Sequence, residues 1–99
     1  TSAVVVTDGT RPVVAVTSVG TWSCTPPTVD TVSAVGSGDA FTAGLLHGLH
    51  ARGWSDWPHA LRLAAACGAA NATGLRARIP EGADVAALAR RVAVDPQPA

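Results

Sequence analysis

The residue types that could do chemistry gather in one short run. Gly36, Ser37, Gly38 and Asp39 form a glycine-serine-glycine turn directly before a stretch with helical spacing. In such a turn successive backbone N–H groups, free of bulky neighbours, point outward at the positive end of the helix dipole. Those are the physical essentials of an anion site. Asp39 stands at the helix start, where a carboxylate either caps the first turn or faces the ligand. Taken alone, Gly-x-Gly-Asp is more often a glycine-rich turn with an Asp N-cap, so this run by itself leaves both readings open.

Other reactive residues are less informative. The chain has no lysine, so it carries neither a phosphate loop ending in Gly-Lys-Ser/Thr nor a lysine Schiff base. Ser37 and Asp39 with a histidine would suggest a hydrolase triad, but the Gly-x-Ser-x-Gly elbow is missing. His47, His50 and His59 have no Cys or carboxylate partners at metal-ligand spacing, which leaves them solvent-facing or packing roles. Cys24 and Cys67 make no disulfide framework and fit a reducing compartment, so the expected location is the cytoplasm. Cys67 reads as a small core residue, and Trp54 and Trp57 as packing or interface anchors.

The elements that must position this run follow from composition. Up to about residue 27 the chain is rich in β-branched residues punctuated by Asp8-Gly9 and Val19-Gly20, which predicts short strands over 3–7, 13–17 and 21–24. From Asp39 onward Ala, Leu and Arg recur with helical period, predicting helices over 39–52, 56–72 and 83–92. Gly53 is placed to end the first helix; Ser55 to cap the second, with Pro58 in its first turn; and Gly74 to stop it. Phe41, Leu45 and Leu49 give the first helix its apolar stripe, and Val85, Leu88 and Val92 the third. Arg90 and Arg91 are expected in the third helix's last turn, where cations suit the dipole. Residues 1–94 then form one α/β unit and 95–99 a loose tail. The 3–7 run is apolar enough for an interior strand covered on both faces, so the chain reads as a fragment of a larger α/β protein.

Bulk properties exclude several classes. The 99 residues are 47% hydrophobic and 14% charged, with seven cations offset by seven acids, so no basic footprint for nucleic acid is present. No apolar run approaches the roughly 20 residues that span a bilayer, and the first ten residues lack the basic flank of a signal peptide, so no membrane partner is expected.

The run Val35-Gly36-Ser37-Gly38-Asp39-Ala40-Phe41-Thr42-Ala43-Gly44-Leu45 resembles the C-terminal signature of the PfkB, or ribokinase-like, carbohydrate kinases. Val4-Val5-Val6-Thr7-Asp8-Gly9 resembles that family's nucleotide loop, and the stretch from Ala60 to Ala70 resembles the helix that follows the signature. Ser33-Ala34-Val35, in place of Asp-Thr-x, is closer to the phosphofructokinase and tagatose-phosphate kinase branch. Asp30-Thr31 lies out of register with the glycines.

The resemblance implies the C-terminal portion of a ribokinase-like fold and ATP-dependent phosphoryl transfer to a hydroxyl of a sugar or sugar phosphate. Asp39 then matches the catalytic base, and Gly36, Ser37 and Gly38 the anion hole that stabilises charge on the transferring phosphoryl group. Thr7 and Gly9 match the nucleotide-phosphate loop, while Ala65 and Asn71 fall on the helix flanking the adenine pocket. Magnesium is implied as the partner of ATP. A monovalent cation such as K+ is implied beside the anion hole, where Ser33, Val35 and Gly74 occupy the corresponding regions.

The chain also departs from the pattern. Pro12 stands where the nucleotide loop has its second glycine, Asp8 brings negative charge toward a polyphosphate site, and the segment from Ala69 to Gly74 is short. Family members are several times longer, and the part not represented here carries most sugar contacts and any homodimer contacts. A catalytically silent nucleotide-binding remnant, or a subunit completed by a separate N-terminal half, would carry the same residues.

Overall fold

The β-branched runs in the first third of the chain do form strands: β1 (Val4–Val6), β2 (Val13–Thr17) and β3 (Gly20–Thr25), each end within a residue of expectation. These assignments come from a computed structural model that describes residues 3–7, 11–29, 36–73 and 82–97. Three helices follow, α1 (Ser37–Arg52), α2 (Trp57–Thr73) and α3 (Gly82–Ala89), and then a fourth strand, β4 (Ala93–Gln97). The sheet order is β1-β2-β3-β4 with every pair antiparallel. Four strands and three helices thus make a small α/β unit.

The sheet's register separates its two faces. Val5 pairs with Ala15 and Ala15 with Trp22, while Val13 pairs with Cys24 and Cys24 with Val94, so these side chains share one face. Val13, Ala15 and Cys24 are buried there with Leu49, Trp57, Ala60, Leu61, Ala65 and Val92, and Val5, Trp22, Phe41, Leu45 and Val94 pack against them. Val4, Val6, Val14 and Val16 share the opposite face and are 59%, 57%, 41% and 49% exposed. β1 was expected to be an interior strand covered on both faces. Here it is an end strand with one bare face, since the helices pack on the other.

α2 is the central helix, touching α1, α3, β3 and β4. Its alanines at 60, 64, 65, 66, 69, 70 and 72 are buried because only small side chains fit among that many neighbours. α1 meets it through glycines. A Cβ on Gly48 would lie 2.8 Å from the Cα of Ala60, and one on Gly44 would lie 2.9 Å from Cys67 Sγ, so the backbones approach closely at both positions. Gly53, at φ 102°, ends α1 as expected, with its N–H on the Leu49 carbonyl at 2.9 Å.

Three local expectations need correction. Asp56, not Ser55, caps α2: its Oδ1 accepts from the His59 N–H at 3.3 Å, while Arg52 holds the other oxygen at 3.6 Å. α3 stops at Ala89 rather than running to 92, leaving Arg90 and Arg91 in a turn beyond the helix. From there Arg91 Nη2 donates to the Thr28 carbonyl, tying the end of α3 to the segment that follows β3. Residues 95–97, expected in the loose tail, pair with residues 21–23 instead. Pro96 is tolerated because β4 is an end strand, where a missing N–H can face away from the ladder. Gly74, expected to stop α2, lies outside the described residues.

Candidate functional site

The glycine-serine-glycine run does open a helix, but by a different device from an aspartate cap. Gly36 is the residue before α1, with φ 82° and ψ −2°, a left-handed conformation that a side chain would strain. No side chain caps the helix, and the first helical hydrogen bond runs from Ala40 N–H to the Gly36 carbonyl at 2.9 Å. Asp39 is therefore the third residue of α1, exposed in its first turn. The first N–H groups of an α-helix have no intrahelical acceptor and carry the positive end of the dipole. Gly38 leaves the approach to them open: a Cβ there would meet nothing within 4 Å.

α2 supports this turn from behind. Asn71 Nδ2 donates to Ser37 Oγ at 3.3 Å, and the same amide stands beside Gly36, where a Cβ would lie 3.6 Å from Nδ2 and 3.8 Å from Oδ1. One turn earlier Gly68 faces the Ser37 carbonyl, which a Cβ would approach to 3.4 Å. Thr42 Oγ1 donates to the Gly38 carbonyl at 3.0 Å. The structure thus brings Gly36, Ser37, Gly38, Asp39 and Asn71 into one neighbourhood.

Two of the other expected site residues, Ala65 and Thr7, are among the described residues. Ala65 is 3% exposed in the core cluster between α2 and the sheet, so its side chain does not reach the turn. Thr7 is exposed just beyond the end of β1. Gly9, Ser33, Val35 and Gly74 lie outside the described residues. Among the described residues no group of three or more His, Cys, Asp or Glu side chains gathers as a metal site. No helix of the described residues is long and apolar enough to cross a membrane.

One feature escaped the reading of the sequence. A cleft of about 300 Å³ runs between α1 and α2 beneath α3, lined among others by Ala40, Gly44, His47, Cys67, Asn71 and Val85. The signal was present as two helical rows, Ala40, Ala43 and His47 on one helix and Leu63, Cys67 and Asn71 at four-residue steps on the other. His47 is solvent-exposed, one of the roles expected of it, and Cys67 is half-buried rather than a core residue; both line this cleft. Burial pushes the Cys67 thiol above its ordinary range, which keeps it a neutral wall.

The sequence pattern of the pfkB family carbohydrate kinases matches residues 1–83. The chain is 38% identical over 93 residues to the 1-phosphofructokinase of Escherichia coli strain K12, covering 94% of this chain and 29% of that protein. It therefore spans about three-tenths of the length of the curated relatives it matches. Among solved structures, one from Staphylococcus aureus superposes with TM-score 0.84 at 22% identity, over 96% of this chain and 30% of the other, a likeness of fold. The fructokinase of Vibrio cholerae O395, in a form holding fructose, ADP and a calcium ion, is 29% identical with TM-score 0.72, over 87% of this chain and 30% of that one.

Proposed function

Because this chain belongs to the pfkB family of carbohydrate kinases, we propose that it carries the phosphoryl-transfer end of an ATP-dependent kinase acting on a hydroxyl of a sugar phosphate, in the manner of a phosphofructokinase. The observation that carries this reading is the start of α1, where Gly38 is open and an exposed Asp39 follows it in the helix's first turn. Phosphoryl transfer asks the protein mainly for position and charge. N–H groups fixed by the helix would stabilise the equatorial oxygens of the moving phosphoryl group without reorganising. Asp39 would take the acceptor hydroxyl's proton as its oxygen attacks the γ-phosphorus. Its carboxylate is in the first helical turn, where negative charge is favoured.

Thr7 and Gly9 would meet the nucleotide phosphates, Gly36, Ser37 and Gly38 would form the anion hole, and Asn71 would act from the nucleotide side. Magnesium would arrive with ATP. A monovalent cation near Ser33, Val35 and Gly74 belongs to the same proposal, and no step here depends on it. Support for a sugar-phosphate acceptor comes from the 1-phosphofructokinase likeness.

The bare valine face of the sheet favours a second reading, a catalytically silent nucleotide-binding remnant or a subunit that needs a separate N-terminal half. One assay separates the two: ATP consumption with fructose 1-phosphate, measured for the 99-residue chain and for the same residues within a full-length polypeptide. Turnover by the full-length protein supports the kinase reading, and turnover by the chain alone contradicts the second. Tight binding of ATP with no transfer to any sugar or sugar phosphate would contradict the first.

A further inference from the structure

Ser37 is the one member of the Gly36–Gly38 turn with a side chain, and that side chain is engaged from the protein side. A hydroxyl offers one proton and two lone pairs. Asn71 Nδ2 donates to Ser37 Oγ, so the amide occupies a lone pair and leaves the hydroxyl proton unspent in that contact. The amide can hold this aim because α2 is fixed against α1 by its own small residues: Gly68 lies on the Ser37 carbonyl, and Asn71 itself stands beside the left-handed Gly36. Asn71 is half-buried and lines the cleft between α1 and α2.

We propose that Asn71 is a positioning residue that makes the Ser37 hydroxyl a dedicated proton donor to the phosphate held at the start of α1. The inference rests on the phosphate-binding reading above and deepens it. It moves Asn71 from a direct nucleotide contact to one that acts through Ser37. A hydroxyl that accepts a hydrogen bond becomes a stronger donor through its own proton, and a bond from it to a phosphate oxygen is charge-assisted. With the amide reversed or removed, the hydroxyl would be free to turn its proton to the protein, and the anion would lose a donor whose backbone N–H neighbours stay in place.

The test is a double-mutant cycle in the full-length protein, with ATP affinity read by calorimetry and KM for ATP and for sugar phosphate read in parallel. Ser37→Ala and Asn71→Ala should each weaken ATP binding about tenfold. The double variant should be no weaker than Ser37→Ala alone, and KM for the sugar phosphate should stay near wild type. Asn71→Asp keeps the shape but offers only acceptors, so it should capture the Ser37 proton and lose at least as much affinity as Asn71→Ala. That variant carries the test if Asn71→Ala does not fold. Additive effects in the cycle, or wild-type affinity for Asn71→Asp, would overturn the proposal. Gly38→Val distinguishes the two levels of the argument. If it leaves ATP affinity unchanged, the turn is not the phosphate site and both readings fall. If it weakens ATP while the cycle is additive, only the role of Asn71 falls.

Discussion

Replacing Gly38 by alanine should improve the fold and damage the site. Gly38 is the second residue of α1, its φ is not in the left-handed region, and a Cβ would meet nothing within 4 Å, so no clash opposes the substitution. Alanine exceeds glycine by about 1 kcal/mol at helix interiors. Near the N-terminus, where fewer hydrogen bonds are at stake, about half of that is expected. For a domain of about 100 residues, 1 kcal/mol moves the melting temperature by about 4–8 °C, so Gly38→Ala should raise it by about 2–4 °C. The same methyl group would enter the path by which a phosphoryl oxygen approaches the first N–H groups. Loss of one such donor costs about 100-fold in rate in comparable sites, and ATP affinity should fall about tenfold. Thermal unfolding and calorimetric titration with ATP read the two effects separately. A lower melting temperature would refute the open geometry at Gly38. A higher one with unchanged ATP affinity would refute its contact with phosphate.

Three further outcomes are expected. Gly48→Ala gains the same helix propensity but forces a Cβ to within 2.8 Å of the Ala60 backbone; it should destabilise the fold by about 1–2 kcal/mol net in urea unfolding. The Cys24 thiol is pushed up from 9.0 to about 11, chiefly by burial, with Arg62 opposing. The unfolded chain therefore ionises first, and stability should hold below pH 9 and decline as pH rises from about 9 to about 11, by on the order of 2 kcal/mol. Urea midpoints for wild type and Cys24→Ala across that range check this, the variant losing Cys24's share of the slope and keeping that of Cys67, whose thiol burial also raises. Val16 is 49% exposed, so Val16→Lys should change the stability of the isolated chain by less than about 0.5 kcal/mol; a larger loss would show that something covers the valine face.

Strands and helices were legible where pattern and packing agree. The valine runs of β1 and β2, the threonine- and tryptophan-bearing β3 and the Gly53 stop came through because β-branched and aromatic strand preference and a left-handed C-cap are local effects. β4 did not, because Asp95 and Pro96 read as breakers. Only the register of Val94 beside Cys24, a long-range pairing, makes a strand of that segment. The cap of α2 fell to Asp56 rather than Ser55 because the helix begins one residue later, at Trp57, whose side chain is buried. At the site, spacing and resemblance placed Gly36, Ser37, Gly38 and Asp39 on one helix start. The pairing of Ser37 with Asn71 spans 34 residues and depends on how α2 lies against α1, which no local pattern encodes. For the same reason Ala65, six residues from Asn71 on the same helix, turned inward to the sheet while Asn71 turned to the turn.

The assignment of Asp39 as the base is tested most directly by kcat for phosphoryl transfer from ATP to fructose 1-phosphate in the full-length protein, wild type against Asp39→Asn. The amide is nearly isosteric, and Asp39 caps nothing, because Gly36 precedes α1 without a side-chain cap. Stability should therefore change by about 0.5 kcal/mol or less, the exposed carboxylate's share of the helix-dipole interaction. A group that takes a proton only as transfer proceeds adds little to ground-state affinity, so kcat should fall about 100-fold or more while KM for ATP stays within a few-fold. A folded Asp39→Asn enzyme with near-wild-type kcat would contradict the account.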